Sequence, residues 1–268
     1  MLSLIAIVSF VSTVAAHGTV SGIVADGIYY TGYNPSFQYM TPQPITPGWK
    51  IPKDLDNGFI APAAYTNPDI ICHVGAANAQ GAAPVKAGGK IVLQWTPWPV
   101  SHKGPIIDYL ANCNGPCEKV DKTTLKWFKI GEGGLIDAKK ASNGYWVTDT
   151  LIANNNTWTI TIPKTIATGN YVLRHEIIGL HAAGQANGAQ NYPQCFNLAI
   201  TSEGTDNPAG VLATTFYKAT DPGIKFDLYS AFTSYAIPGP PLYSNAITVS
   251  QTMPPKATAS ATGVYAVS

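Results

Sequence analysis

The stretch that decides the fold is NYVLRHEIIGLHAAGQANGAQNYPQCFNLAIT, residues 170–201. Two runs rich in β-branched and aromatic residues, 170–180 and 195–201, flank a segment of Gly, Ala, Asn and Gln. Runs of this composition, bounded by turn-forming residues, are typical of β-strands. We therefore predict two strands joined by a long loop.

Similar runs recur along the chain, and no long segment has helical periodicity. They predict further strands at 90–98, 125–130, 157–163 and 245–250. Pro-, Gly- and Tyr-rich segments at about 26–70 and at 235–243 are typical of long surface loops. The sequence therefore predicts an all-β protein, an immunoglobulin-like sandwich of antiparallel β-sheets with long surface loops.

Alternation within the first run assigns two of its polar residues. His175 shares a face with Tyr171 and Leu173, so we expect it to be a core histidine. Glu176 lies beside Arg174, the single arginine of the chain, and an ion pair is the expected role for both.

The composition narrows the class of partner. Only 12% of the residues are charged and the formal net charge is +1, whereas the chain has 25 Gly, 21 Pro and 14 Tyr. A nearly neutral surface gives no attraction to nucleic acid or acidic membranes, so neither is an expected partner. Uncharged partners rich in hydroxyl groups are favoured.

The termini indicate a secreted protein with a short extension. Residues 1–16, MLSLIAIVSFVSTVAA, form an apolar run ending in small residues, which is typical of a secretory signal peptide. The run is too short to span a membrane. Cleavage would leave His17 as the first residue of a domain over 17–250, and residues 251–268 are predicted to be a low-complexity, flexible tail.

Four cysteines in a secreted chain predict two disulfides. Cys113 and Cys117, in CNGPC, are close enough in sequence to close one small loop, and Cys72 would then pair with Cys195. The alternative is a zinc site built from these cysteines and His73. An oxidising compartment disfavours the free thiolates that such a site needs.

A histidine at a processed N-terminus has a specific chemical use. The α-amino group loses its proton more easily than lysine does, so His17 could chelate a metal through its amine and its ring. A second imidazole would complete three nitrogens in a plane, an arrangement that copper favours. The alternative is that the signal peptidase happened to cut there.

Two further histidines and a tyrosine are candidates for the same site. His102 lies among Pro and Gly in a predicted loop, and His181 follows the end of the strand over 170–180. Tyr192 precedes Pro193 and is close to Cys195, which would hold it rigidly.

Four motifs together resemble one known family. They are HGTV at 17–20, SHKGPIIDYLANC at 101–113, YVLRHEIIGLHAAGQANGAQNYPQC at 171–195 and IPGPPLY at 237–243. In this order they are similar to fungal lytic polysaccharide monooxygenases of auxiliary activity family 9, over roughly residues 17–250.

The resemblance implies roles for particular residues. His17 and His102 match the copper-binding pair called the histidine brace, and Tyr192 matches the axial tyrosine. His181 and Gln190 match the pair that hydrogen-bonds oxygen species near the metal. Tyr243 matches an aromatic residue on the flat substrate face, with Tyr39 and Tyr33 as weaker candidates, and the disulfides Cys72–Cys195 and Cys113–Cys117 match those of the family.

The resemblance also implies a reaction and partners. One copper ion, an external electron donor, and hydrogen peroxide or dioxygen would oxidise a glycosidic carbon of cellulose or a related β-glucan. The donor would be a small reductant or a partner dehydrogenase, and we expect the enzyme to be an extracellular monomer.

Two asparagines are notable, one as a candidate glycosylation site and the other as a departure from the family pattern. Asn155 begins the N-x-S/T sequence and is a candidate glycosylation site. Asn191 occupies a position where the family usually has an aromatic residue. Because neighbouring residues of a strand face opposite ways, we expect Asn191 to alter packing rather than to disturb Tyr192.

Three other functions are considered. A glycoside hydrolase needs two carboxylates across the scissile bond, but the acids here are scattered. A non-catalytic carbohydrate-binding protein of the cell wall would also suit tyrosine-rich loops, although it needs no set of His17, His102, His181 and Gln190. A copper carrier would leave His181 and Gln190 without a purpose.

Overall fold

The computed structural model describes residues 18–262, so the predicted signal peptide over 1–16, His17 and residues 263–268 lie outside the described residues. The strands in this part of the chain are β1 (Val20–Ala25), β2 (Ile28–Thr31), β3 (Ala83–Lys86), β4 (Lys90–Trp95), β5 (Ile106–Asn112), β6 (Trp127–Gly133), β7 (Leu135–Asp137), β8 (Tyr145–Trp146), β9 (Thr157–Thr161), β10 (Gly169–Gly179), β11 (Gln190–Thr201) and β12 (Ala259–Ala261). The helices are α1 (Asp69–Cys72), α2 (Val147–Ala153) and short 3-10 helices over Pro35–Tyr39, Pro62–Ala64, Cys117–Lys119, Lys122–Thr124 and Ala213–Thr215.

Ten of these strands form two five-stranded sheets, and β7 and β8 form a separate two-stranded sheet. The first has the order β12-β2-β1-β4-β9 and the second has the order β3-β11-β10-β5-β6. Neighbours are antiparallel except that β3 is parallel to β11 and β12 is parallel to β2. The predicted all-β sandwich is confirmed, and the segment over 26–70 is mostly loop as expected.

The second sheet is buried on both faces. Leu173 and Ile177 of β10 point into the core between the sheets, whereas Val172 and Ile178 point to the other face. That other face is covered by the long loops, which pack apolar residues such as Trp49 against it. A strand buried on both faces has to satisfy any polar residue it carries internally.

Arg174 and Glu176, on the loop-covered face of β10, form the predicted ion pair. Arg174 Nη2 lies 2.7 Å and Nη1 2.8 Å from the two Glu176 carboxylate oxygens, and both side chains are fully buried. Arg174 also donates to the carbonyls of Ile70 and Ile71 in α1. Both Glu176 oxygens are thus engaged, which makes this residue unsuitable as the acid of a hydrolase.

His175 is a core histidine, as predicted. Trp95 Nε1 donates to its Nε2 at 2.8 Å, and its Nδ1 lies 2.6 Å from Asp108 Oδ1. Because an indole can only donate, the ring proton sits on Nδ1 and is shared with Asp108. Trp158 Nε1 donates to the other oxygen of Asp108 at 2.9 Å, so this chain of hydrogen bonds joins the two sheets.

Several strand predictions were wrong in their limits or existence. Residues 245–250 form no strand, and β5 was missed because its Asp108 and flanking Pro and Gly hid an otherwise apolar run. Strand β11 begins at Gln190 rather than at 195. The backbone N–H of Asn191 donates to the carbonyl of Ile60, on the side of β11 that faces away from β10. The nitrogen of Pro193, two residues further along the strand, faces the same side. The lack of an N–H at Pro193 therefore removes no hydrogen bond to β10.

The prediction of a flexible tail is wrong for residues 251–262. Gln251 accepts a hydrogen bond from the backbone N–H of Thr159 at 3.0 Å and donates to its carbonyl at 2.8 Å. Farther on, Thr258 N donates to the carbonyl of Gly27, and β12 pairs with β2. These hydrogen bonds are made at opposite sides of the first sheet, with the edge strand β9 and with β2.

Both predicted disulfides, Cys72–Cys195 and Cys113–Cys117, are formed. No thiol remains for a zinc site. The bond between Cys72 and Cys195 ties α1 to β11. His73, the other residue considered for a zinc site, is buried, and its Nε2 lies 3.2 Å from Asp54 Oδ2. Within residues 18–262, no helix is long and apolar enough to cross a membrane.

Candidate metal site

His102 lies in a tight turn that follows β4. Its backbone N–H donates to the carbonyl of Pro99 at 3.0 Å, and the side chain is 8% exposed. Nδ1 of the ring lies 3.0 Å from the hydroxyl of Ser101. This contact engages Nδ1, so Nε2 is the ring nitrogen that we expect to bind a metal.

Lys103 holds this turn in place from two sides. Its ammonium group lies 2.9 Å from both carboxylate oxygens of Asp149 in α2 and 3.1 Å from the carbonyl of Gly144. Its own carbonyl accepts the N–H of Leu180 at 2.8 Å, directly after β10. The turn that carries His102 is thus fixed to α2 and to the end of β10.

His181 lies next to His102. The ring centroids are 3.8 Å apart and the ring planes are inclined by 33°. Because Leu180 is bonded to Lys103, the backbone that carries His181 is tied to the backbone that carries His102. Two histidines that are 79 positions apart in the sequence are therefore side by side at one end of the sandwich.

Tyr192 and Gln190, both on β11, form a hydrogen-bonded pair. The Tyr192 hydroxyl donates to Gln190 Oε1 at 2.5 Å, and the tyrosine is 1% exposed. Burial raises the pKa of Tyr192, and the Asp54 carboxylate raises it further, so the phenol stays protonated. A protonated phenol excludes other groups from its position but is a weak metal ligand.

Trp98 connects these residues. Its ring makes edge-on contacts with Tyr192, at 5.1 Å between centroids, and with His102, at 5.9 Å, and its Nε1 donates to the His102 carbonyl at 2.9 Å. Gly18 lies on the same indole, since a β-carbon there would be 3.2 Å from Trp98 Cε3. The chain that follows His17 therefore begins beside the ring that contacts both His102 and Tyr192.

A sequence profile now gives the family. The profile of Auxiliary Activity family 9 (formerly GH61) matches residues 17–235, a match that starts at His17. The chain belongs to this family. The AA9 family lytic polysaccharide monooxygenase I of Botryotinia fuckeliana (strain B05.10) is 72% identical over 260 residues, which is 97% of either chain.

Other AA9 proteins agree in sequence and in structure. The AA9 family lytic polysaccharide monooxygenase cel61A of Hypocrea jecorina (strain QM6a) is 56% identical over 86% of this chain and 67% of its own length. The solved extended catalytic domain of H. jecorina LPMO9A superposes with a TM-score of 0.88 at 54% identity, covering 93% of this chain and all of that one. The chain is thus a polysaccharide monooxygenase, an enzyme of a family that cleaves polysaccharides oxidatively with copper. This decides against a hydrolase and against the non-catalytic alternatives.

Tyr243 does not lie near His102 and His181, so its predicted position on a substrate face beside them is corrected. Its hydroxyl is 3.0 Å from that of Thr165 and is hydrogen-bonded to Asp206, and its ring packs on Phe128. Thr165 is two residues before Ala167, whose carbonyl accepts a hydrogen bond from the hydroxyl of Tyr171. Because Tyr171 is the third residue of β10, Thr165 lies near the start of that strand. His181 follows the end of that strand, which is 11 residues long, or roughly 35 Å.

Two exposed aromatic residues near the site were not predicted from the sequence. Phe59 is 36% exposed and lies 6.2 Å from the ring of Tyr192. Tyr229 is 66% exposed, on a loop in which Phe226 N donates to the carbonyl of Ala183, two residues after His181. Neither position has a sequence pattern that distinguishes it from the other loop aromatics, because the contact is made only on folding.

The two asparagines singled out in the sequence occupy defined places. Asn155 is exposed in the turn between α2 and β9, as a surface glycosylation site requires. Asn191 is fully buried and faces away from Tyr192, as predicted. Its amide donates to Glu176 Oε1 at 2.8 Å and accepts from the Tyr65 hydroxyl at 2.6 Å. Asn191 thus belongs to the buried polar cluster around Arg174.

Proposed function

We propose that the mature chain is a secreted, copper-dependent enzyme that cleaves the glycosidic bonds of cellulose or a related β-glucan. It would use an external electron donor and hydrogen peroxide or dioxygen. The observation that carries the proposal is the position of Gly18 on Trp98, whose ring contacts both His102 and Tyr192. Removal of residues 1–16 would give His17 a free amine at this point of the chain.

The donor set fits copper. The amine and ring of His17 with Nε2 of His102 would give three nitrogens, and the Ser101 contact favours that nitrogen of His102. Tyr192, which packs on Trp98, would be the buried phenol beside this donor set and would keep other groups out of its position. Copper held there would supply one-electron redox chemistry and, with a reductant and co-substrate, the oxidising power that removes hydrogen from a glycosidic carbon.

His181 and Gln190 would handle protons and hydrogen bonds near the reacting oxygen. His181 is half-buried beside His102 and can donate or accept near neutral pH. Gln190 Oε1 accepts a hydrogen bond from the Tyr192 hydroxyl, so the amide nitrogen of Gln190 is the atom that would donate. These two side chains would orient the co-substrate, and Tyr192 would exclude water and other groups from the position that its ring occupies.

The substrate would contact exposed rings around the histidines. Phe59 and Tyr229 present apolar surface that suits the axial C–H groups of sugar rings. The low fraction of charged residues, 12%, suits an uncharged polymer. We infer that these residues hold the polysaccharide across the end of the sandwich that carries His102 and His181.

The remaining expectations form part of the same proposal. The enzyme would be an extracellular monomer, glycosylated at Asn155, that receives electrons from a small reductant or a partner dehydrogenase. Neither nucleic acid nor membrane would be a partner, because the formal net charge of +1 provides no polyanion-binding surface.

The test is mass spectrometry of the products released from cellulose by the processed protein, with and without reductant. We expect oxidised oligosaccharides that require both copper and reductant, together with an N-terminal sequence that starts at His17. The His102→Ala variant should lose more than about 100-fold in copper affinity, because one of three nitrogens is removed, and should yield no oxidised sugar.

Three results would contradict the proposal. They are a secreted chain that starts elsewhere, oxidised product that persists in His102→Ala, and ordinary reducing ends formed without reductant. Binding to cellulose that is unaffected by chelation, with no oxidised product, would instead support a carbohydrate-binding role.

A further inference from the structure

The chain contains four Asn-Gly steps, at Asn57, Asn114, Asn143 and Asn187. In such a step the glycine amide nitrogen can attack the asparagine side chain, because glycine has no side chain to block the approach. The sequence alone makes the four sites equivalent. In the structure the four sites differ in whether the backbone N–H of the glycine is hydrogen-bonded.

Three of the four glycine N–H groups are hydrogen-bonded. Gly58 N donates to the buried carboxylate of Asp54 at 2.6 Å. Gly144 N donates to the carbonyl of Ala141 at 3.1 Å, and Gly188 N to that of Gln185 at 3.2 Å. Each of these bonds has to break before the nitrogen can turn toward the preceding side chain.

Gly115 differs from the other three. Among the hydrogen bonds within residues 18–262 its N–H has no acceptor, and a β-carbon built there would meet nothing within 4 Å. The preceding Asn114 is exposed and has φ of 50°, in the left-handed region that Asn57 and Asn187 also adopt, so the free N–H is the feature that distinguishes this site. Within the described part of the chain the Gly115 nitrogen therefore has no hydrogen bond to break, and the exposed Asn114 side chain is held only by a long contact, 3.5 Å, from its amide to the carbonyl of Asn112.

We propose that Asn114 is a site of spontaneous deamidation and the fastest of the four. The Gly115 nitrogen forms a bond to Cγ of Asn114, and the side-chain nitrogen leaves as ammonia with the Gly115 amide proton. Water then opens the cyclic imide at either carbonyl to give aspartate or isoaspartate. No oxidant or reductant takes part.

The position gives the modification a structural consequence. Asn114 lies inside the small loop closed by Cys113–Cys117, and Asn170 at the start of β10 donates to the Gly115 carbonyl at 3.2 Å. Isoaspartate adds one carbon to the backbone of a loop whose ends the disulfide fixes, so this bond to β10 should weaken. Either product also adds a negative charge and removes the formal net charge of +1.

The experiment is peptide mapping by tandem mass spectrometry of the folded protein, aged at mildly alkaline pH below its unfolding temperature. Asn114 should deamidate roughly five- to tenfold faster than the other three, the factor expected when each of those must first break a hydrogen bond. The same protein, reduced and unfolded, is the control and should convert all four at similar rates. The Asn114→Asp variant tolerates the same backbone conformation and should co-elute with the aspartate product of the aged protein.

Equal rates at the four sites in the folded protein would overturn the proposal. So would conversion of Asn57, Asn143 or Asn187 ahead of Asn114, because the order would then be unrelated to the glycine hydrogen bonds.

Discussion

The rings of His102 and His181 lie 3.8 Å apart, although one follows β4 and the other follows β10. The contact exists because the Lys103 carbonyl accepts the N–H of Leu180 at 2.8 Å. A backbone hydrogen bond that involves neither imidazole therefore holds the two histidines next to each other. This allows one to be changed while the other keeps its position.

Substitution of His181 should separate binding from turnover. In His181→Ala we expect copper affinity within a few-fold of wild type and turnover reduced by about 100-fold, because a positioned proton donor or acceptor is lost. Calorimetric titration with copper and product yield on cellulose measure the two quantities. Wild-type turnover at saturating peroxide would show that His181 has no role in the reaction.

Loss of the Lys103–Asp149 ion pair should loosen the turn that carries His102. For Lys103→Met we expect a roughly tenfold loss of copper affinity, the usual cost of removing an outer support of a metal ligand, and an altered copper EPR spectrum. Lys122→Met is the matched control, since Lys122 is also partly buried but bonds to the Ala76 carbonyl instead. If both variants lose affinity equally, the effect is general destabilisation rather than positioning.

Tyr229 rather than Tyr243 should contribute to substrate binding. Tyr229→Ala should weaken binding to cellulose by about five- to tenfold, in the range expected for a lost aromatic contact. Tyr243→Ala is the comparison and should bind as the wild type does, because its ring packs on Phe128. Adsorption isotherms decide between them, and weaker binding by the Tyr243 variant alone would restore the prediction made from the sequence.

Asn191 should contribute to stability rather than to metal binding. Asn191→Leu leaves Tyr65 and one Glu176 interaction without a partner in the core, at a cost of about 1–3 kcal/mol. Thermal unfolding of the copper-free protein measures this, with the exposed Asn207→Leu as a control of small effect. A normal melting temperature in Asn191→Leu would mean that the cluster rearranges.

The Asp206 carboxylate should make stability depend on acid pH. Hydrogen bonds from Thr165, Tyr243 and Asn245 lower the pKa of Asp206. A carboxyl group with a lowered pKa stabilises the fold above its unfolded pKa, about 3.9, and that contribution is lost as the pH falls through the folded value. Tyr243→Phe should therefore unfold more easily than wild type at neutral pH, and the difference should shrink in acid. An equal difference at both pH values would assign the loss to packing.

Four features could be predicted from the sequence, namely the all-β class, the two disulfides, the Arg174–Glu176 pair and the core position of His175. These follow from local patterns, since alternation assigns the faces of a strand and the small number of cysteines restricts their pairing. The sequence also singled out His102, His181, Gln190 and Tyr192 through their resemblance to a family.

The residues that surround these side chains could not be predicted, because they come together only in the folded protein. Lys103 finds Asp149, and Tyr229 comes beside the loop after His181, through contacts between segments far apart in the chain. The tail pairs with β2 because the edge of the first sheet offers unpaired backbone groups. Tyr243 resembled a substrate-face residue, yet its hydroxyl bonds near the far end of the sandwich. Such contacts depend on the distance between segments after folding, and no local pattern of residues encodes that distance.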